Sequence, residues 1–89
     1  MEIIDNTSKN RFETEVENKT AFIEYKIKDD KIYLTHTKVP KELEGQGIAS
    51  SLVKEVFSLL EHKNLKMVPA CSFIASYVKK HPEYEKLLA

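Results

Sequence analysis

The stretch from Val39 to Ala49 has the residue types of an anion-binding site. It contains the only two glycines of the chain, Gly45 and Gly47, one residue apart. Glycine keeps side chains away from a ligand that approaches the backbone, and it tolerates left-handed dihedrals. Helical periodicity begins at Ile48, and the first N–H groups of a helix have no partners within the helix. The pattern therefore predicts either a phosphate-binding corner at a helix N-terminus or a plain strand-to-helix turn.

Two side chains outside this stretch have types suited to group transfer. Cys71 is the only cysteine and precedes a second helical pattern, where N–H groups and the helix dipole favour a thiolate. The alternative for Cys71 is a small buried core residue. His36 lies in the strand before the glycines and is either a general base for an amine or a packed strand histidine. Ligands bind beyond the carboxyl ends of parallel strands, so we expect Cys71 and the glycine loop to share a crevice.

Length and charge exclude several classes of protein. The 89 residues predict one domain, residues 1–89, and we expect a monomer. With 14 basic and 14 acidic residues there is no net field to attract nucleic acid or an anionic membrane. A single cysteine excludes an internal disulfide, and the spacing of the histidines predicts no metal site. The chain has no apolar N-terminal run, so we expect a cytoplasmic protein.

The first half of the sequence alternates between apolar and polar residues, which indicates an antiparallel meander. Turns are expected at Asn18-Lys19 and Asp29-Asp30. The stretch from Met1 to Asn10 has no period and predicts a frayed arm or a short leading strand, whose first residues the fold should tolerate losing. The predicted strands of the meander are Arg11–Glu17, Ala21–Lys28 and Ile32–Val39.

The second half predicts a helix, a strand and another helix. Apolar residues recur at helical spacing from Ile48 to about His62, with Asn64 as the left-handed residue that ends this helix. A short apolar strand, residues 65–68, should run parallel to the last strand of the meander, because a helix separates the two. The next helix should begin with Ser72 as its N-cap and end before Pro82. The fold class is therefore α/β (α+β), a meander followed by a β-α-β unit and a C-terminal helix.

The segment Glu44-Gly45-Gln46-Gly47-Ile48-Ala49 resembles the acyl-CoA pyrophosphate loop of GNAT N-acetyltransferases, whose pattern is Gln/Arg-x-x-Gly-x-Gly/Ala. The one departure is Glu44, where the family usually has Gln or Arg. Three further segments strengthen a resemblance to the very small, one-domain GNAT-like proteins of the YjdJ type, which spans residues 11 to 84. These segments are His36-Thr37-Lys38-Val39-Pro40, Pro69-Ala70-Cys71-Ser72-Phe73 and His81-Pro82-Glu83-Tyr84.

The resemblance implies a minimal GNAT-like fold and an acetyltransferase that uses acetyl-CoA and releases coenzyme A. Cys71 would lie near the thioester. The acyl group would pass either directly to an acceptor amine or first to Cys71. The residues implied in cofactor binding are Thr37, Val39, Glu44, Gly45, Gln46, Gly47, Ile48, Ala49 and Ser72. Lys80 joins this set as part of a local positive patch with Lys79 and His81, which either holds the nucleotide phosphates of CoA or is an ordinary solvated helix end.

A second function from another class fits the same sequence. The predicted strands are joined by turns of only two to four residues, whereas full-length GNAT enzymes have extra helices around the acceptor site. In addition, Lys79 occupies the position at which those enzymes often have a tyrosine that acts as general acid for the leaving thiolate. An uncovered site suits a protein or peptide tail as acceptor, or a CoA-binding or protein-interaction module without turnover.

Overall fold

The computed structural model describes all residues from 1 to 89 and contains one five-stranded sheet in the order β1-β2-β3-β4-β5. All neighbouring strands are antiparallel except β4 and β5, which are parallel and joined through a helix. The predicted meander followed by a β-α-β unit is confirmed. The strands are β1 (Ile4–Asn6), β2 (Arg11–Val16), β3 (Lys19–Lys28), β4 (Lys31–Lys38) and β5 (Lys66–Pro69).

Two tight turns join the long strands of the meander. Asp29 and Asp30, at φ 55° and 63°, connect β3 to β4 as predicted. Glu17 and Asn18, at φ 51° and 63°, connect β2 to β3, one residue earlier than the predicted turn. Both central residues of each turn are left-handed, the conformation that matches the twist of paired strands.

The N-terminal arm is a strand of the sheet rather than a frayed end. β1 pairs with β2, with Asn6 opposite Arg11. The side-chain amide of Asn6 also donates to the Glu13 carboxylate at 3.0 Å. Of the two alternatives left by the sequence, the short leading strand is therefore the one adopted.

Two α-helices pack on the sheet: α1 (Ile48–His62) and α2 (Ser72–Lys80). The bounds of α1 agree with the periodicity, and it ends as predicted, with Asn64 at φ 56° and the Leu65 N–H donating to the Leu60 carbonyl at 2.9 Å. The predicted N-cap of α2 is wrong. Cys71 occupies that position, and Ser72 is the first helical residue. Short 3-10 helices cover Lys41–Leu43 and Pro82–Leu87.

The hydrophobic core lies on one face of the sheet only. Both helices pack there, since Phe57 of α1 contacts Tyr77 of α2 edge-on, with 5.8 Å between the ring centroids. Residues that alternate with the core residues project from the opposite side, which no helix covers; we call this side the open face. The side chains of α1 buried in the core are Ile48, Leu52, Val53, Val56, Phe57 and Leu60. None of the helices combines the length and apolar composition needed to cross a bilayer.

Candidate functional site

One extra residue in β4 determines which side chains reach the site. Tyr25 of β3 pairs with Leu34, but the preceding residue, Glu24, pairs with His36, so Thr35 has no partner in β3. This is a β-bulge, and bulges re-aim the side chains that follow them. The Thr35 hydroxyl donates to the Glu24 carbonyl at 3.2 Å and holds the extra residue in place.

The bulge places Thr37 on the core face and His36 on the open face. Directly opposite residues of paired strands project to the same side, and Thr37 is opposite Ile23, which is fully buried in the core. Simple alternation from Leu34 would have put His36 on the core face instead. The His36 side chain is 77% exposed, and its Nδ1 lies 3.8 Å from the Glu24 carboxylate. The structure therefore does not bring His36 to the face on which Thr37 lies.

The strands β4 and β5 separate beyond their first four paired residues. Pairing ends at Leu34 opposite Pro69, and the last link is the Cys71 N–H donating to the Leu34 carbonyl at 3.0 Å. From Thr35 to Lys38 the strand β4 has no neighbour on its β5 side. An unpaired strand edge presents N–H and C=O groups that can pair with another extended chain. We call this segment the free edge.

The glycine loop connects β4 to α1. Leu43 is almost fully buried in the core and anchors the chain just before the loop. Gly45 and Gly47 have φ values of 84° and 73°, and a Cβ added to either would meet no protein atom within 4 Å. The backbone N–H groups of residues 45–50 have no hydrogen-bond acceptor within the protein. The loop therefore presents six consecutive unpaired amides at the N-terminus of α1.

An open cleft of about 460 Å³ lies between the free edge, the loop and the start of α2. Of the residues predicted to bind the cofactor, six line this cleft, and Gln46 and Gly47 are exposed in the same loop. The prediction missed Lys38, Leu43 and Phe73. Phe73 is a large apolar side chain that is 40% exposed. Its position two residues after Cys71 was the only feature of the sequence that could have indicated a place in the cleft. The predicted residues that line the cleft are Thr37, Val39, Glu44, Gly45, Ile48 and Ala49.

Cys71 lies at the N-terminus of α2, with its sulfur 3.5 Å from the Thr37 hydroxyl. It is half-buried at the margin of the core. Burial raises the pKa of the Cys71 thiol, but hydrogen bonds from the Thr37 hydroxyl and from the N–H groups of Ile74, Phe73 and Thr37 outweigh burial and lower it below its ordinary value. These hydrogen bonds therefore make the Cys71 thiol more acidic than an ordinary cysteine.

The two remaining predicted cofactor residues lie at opposite ends of α2. Ser72 is exposed beside Cys71, whereas Lys80 is the last residue of the helix. Eight residues of helical rise separate them by roughly 12 Å. Lys80 is therefore not among the residues that line the cleft.

Comparison with known proteins indicates the same family that the glycine loop resembles. A family model described as GCN5-related N-acetyl-transferase matches residues 11–87. The chain belongs to this family. An NMR structure of a GCN5-like candidate N-acetyltransferase from Staphylococcus aureus superposes with a TM-score of 0.75 at 31% sequence identity. The match covers 99% of this chain and 87% of that one. By family and fold, the protein is a small GNAT N-acetyltransferase, and GNAT proteins generally use acetyl-CoA as co-substrate.

Proposed function

We propose that this GNAT protein transfers an acetyl group from acetyl-CoA to an amine and binds the CoA pyrophosphate through the amides of residues 45–50. The six unpaired N–H groups carry this proposal, because they are placed at the positive end of the α1 dipole. A Cβ at Gly45 or Gly47 would project into space that is empty of protein. Packing within the protein therefore does not explain the glycines. They are explained by the left-handed backbone and by the close approach of a phosphate to that backbone.

The pantetheine arm fits the free edge of β4. This arm is extended and contains two amide groups, so it can pair with the strand as an added peptide would. Thr37 and Val39 line the adjoining cleft. The free edge starts where the Cys71 N–H bonds to Leu34, so an arm that runs from the loop along this edge ends near Cys71.

We further propose that Cys71 receives the acetyl group before the amine does. The Cys71 thiolate attacks the thioester carbonyl, the carbon–sulfur bond to CoA breaks, and CoA leaves as a thiolate that takes a proton from solvent. The acceptor amine then attacks the acetyl-cysteine, the carbon–sulfur bond to Cys71 breaks, Cys71 leaves as a thiolate, and the amine loses its proton to solvent. The Thr37 hydroxyl 3.5 Å from the sulfur and the lowered pKa of Cys71 support a nucleophilic thiol, which this route requires.

The acceptor enters from a side that no segment of the chain covers. The hairpins β2–β3 and β3–β4 have turns of two residues, so no helix or long loop rises over the open face. An exposed lysine of a protein or peptide tail fits such a site. His36 lies on the open face beside Glu24, whereas Thr37 and Cys71 meet on the other side of β4, so His36 does not contact the proposed acetyl-cysteine.

The test is intact-protein mass spectrometry after brief incubation with acetyl-CoA and no acceptor. We expect one added acetyl group on the wild type and none on Cys71→Ala, together with CoA binding to both proteins by calorimetry. CoA binding without acetyl-enzyme, but with acetylation of a lysine peptide, would favour direct transfer. Binding without either product would make the protein a CoA-binding module, and absence of CoA binding would overturn the proposal.

A further inference from the structure

Thr37 reaches Cys71 only because β4 contains the bulge at Thr35. Without the extra residue, Thr37 would project from the open face and His36 would occupy its place on the core side. With the bulge, the Thr37 hydroxyl lies 3.5 Å from the Cys71 sulfur, across the point where β4 and β5 separate. A strand irregularity fixed by its own hydrogen bond thus selects which side chain contacts the cysteine.

We propose that Thr37 is a positioning residue that holds the Cys71 sulfur as a thiolate, with its hydroxyl donating to the sulfur across a distance of 3.5 Å. This inference rests on the proposed function, in which Cys71 carries the acetyl group. Threonine suits the position because its β-branched side chain has few rotamers in a strand, so the hydroxyl stays directed at the sulfur. The N–H groups of Phe73 and Ile74 approach the same sulfur from the start of α2.

The hydroxyl matters at two points of the reaction. The sulfur carries a negative charge before it attacks the thioester and again when it leaves the acetyl-cysteine, but carries none while it is acetylated. A donor that bonds the charged form stabilises it at both points. The charged residues that line the neighbouring cleft are Lys38 and Glu44. Lys38 follows Thr37 in β4 and Glu44 lies in the glycine loop, so neither is at the Thr37 position or in the first turn of α2, the two places from which groups approach the sulfur.

The opposing interpretation is that Thr37 only fills space beside Cys71. Replacement of the hydroxyl by a methyl group, Thr37→Val, preserves shape and β-branching and removes only the donor. Thr37→Ser does the opposite, since it keeps the hydroxyl donor of the wild type and removes the methyl group. Thr20→Val makes the same change at a threonine of β3 whose hydroxyl forms no hydrogen bond with the protein and which does not touch Cys71. These three variants separate hydrogen bonding from packing.

The measurement is the rate of Cys71 alkylation by iodoacetamide as a function of pH, in the absence of CoA. We expect Thr37→Val to move the midpoint of the profile to higher pH and to slow alkylation near neutral pH by roughly tenfold, the size expected for one hydrogen bond to a charged group. Thr37→Ser and Thr20→Val should keep the wild-type profile. If the Thr37→Val and wild-type profiles coincide, or if Thr37→Ser moves as far as Thr37→Val, the proposal is wrong.

Two features keep this result interpretable. Should Thr37→Val lower the melting temperature markedly, Thr37→Ala removes the same donor without placing a methyl group against the sulfur, and the same shift is expected. The assay contains no acetyl-CoA, so a failed acetyl transfer leaves it unaffected. A shifted alkylation profile without acetyl-enzyme would refute the proposed route through Cys71 and retain the Thr37–Cys71 relationship. Acetyl-enzyme with an unshifted profile would support that route and refute the role of Thr37.

Discussion

The Tyr25 hydroxyl donates a 2.5 Å hydrogen bond to the Asp5 carboxylate and so links β1 to β3 across the intervening strand β2. Tyr25 is only 5% exposed and stacks at a tilt on Phe12, with 4.8 Å between the ring centroids. Burial, together with the hydrogen bond and charge of Asp5, raises the pKa of Tyr25 to about 12. The N-terminal strand is therefore held by a partly buried side-chain contact as well as by its three residue pairs with β2.

Tyr25→Phe should lower the free energy of unfolding at neutral pH by about 1–2 kcal/mol, because Asp5 loses its donor. The pKa of Tyr25 is raised from 10.0 in the unfolded chain to about 12 in the fold, so its contribution is complete below pH 10 and is lost as pH rises toward 12. The variant should lack this alkaline loss. Urea titrations from neutral pH to pH 12 measure both effects.

Tyr33→Phe is the control for this experiment. Tyr33 is a half-buried tyrosine of β4 on the open face, and its hydroxyl makes no hydrogen bond within the protein. We expect this variant to keep the wild-type stability within about 0.5 kcal/mol. An alkaline loss of equal size in wild type and Tyr25→Phe would show that another group causes it.

Removal of β1 should destabilise the domain, contrary to what the unpatterned sequence of the arm suggests. Deletion of residues 1–6 removes the backbone pairing with β2 and the Asp5 contact. We expect the melting temperature to fall by more than about 5 °C, which for so small a domain corresponds to roughly 1 kcal/mol. Deletion of residues 1–2, which precede the strand, should change it little. Equal melting temperatures for both deletions would mean that β1 contributes nothing to stability.

The parts of the fold that the sequence predicts are those with local signals. The bounds of α1 follow from apolar spacing, and its end follows from Asn64, a residue type that tolerates the left-handed conformation. The glycine loop is equally local, since both glycines lie between a strand pattern and a helix pattern. Six of the ten residues implied in cofactor binding line one cleft for this reason.

The parts that could not be predicted depend on partners distant in sequence. No glycine or proline marks the bulge at Thr35, and its cause is the register with Glu24 in another strand. The face of His36 was therefore unpredictable from alternation alone. Serine is a preferred N-cap residue, but the Ala75 N–H bonds to the Cys71 carbonyl at 3.0 Å, so α2 begins one residue earlier than Ser72 suggests.

Gly47→Glu should weaken CoA binding by at least about a hundredfold, or roughly 3 kcal/mol. The new side chain would enter the space proposed for the pyrophosphate and add a like charge. Asn64→Glu is the matched control, because it places the same side chain at a left-handed residue at the other end of α1. Calorimetry should show wild-type affinity for the control. If folded Gly47→Glu binds CoA normally, the pyrophosphate does not occupy the loop.

Glu44→Gln should strengthen CoA binding modestly, by about two- to fivefold. Glu44 lines the cleft as an exposed carboxylate beside the proposed phosphate site, so its removal relieves a screened repulsion that is largest at low salt. Glu42→Gln removes the same charge from the preceding 3-10 helix, where the carboxylate pairs with Lys19 at 3.3 Å, and should change affinity less. Affinities that do not depend on Glu44 at low salt would contradict a phosphate beside it.

Replacement of Cys71 should separate the two routes of acetyl transfer. The lowered pKa of the thiol predicts rapid alkylation of the wild type near neutral pH, slowed by saturating CoA if the pantetheine arm covers the sulfur. If Cys71 carries the acetyl group, Cys71→Ala should lose nearly all turnover with a lysine peptide while its affinity for CoA changes by less than about threefold.

Cys71→Ser serves as the control for packing in this series. It keeps a polar atom beside Thr37 but replaces the thiolate by a hydroxyl, which is a weak nucleophile at its ordinary pKa. Both variants should therefore be inactive and folded, with melting temperatures close to that of the wild type because Cys71 is only half-buried. Full turnover by Cys71→Ala, together with slow alkylation of the wild type at pH 8 and no protection by CoA, would make Cys71 a packing residue and leave direct attack by the amine as the route.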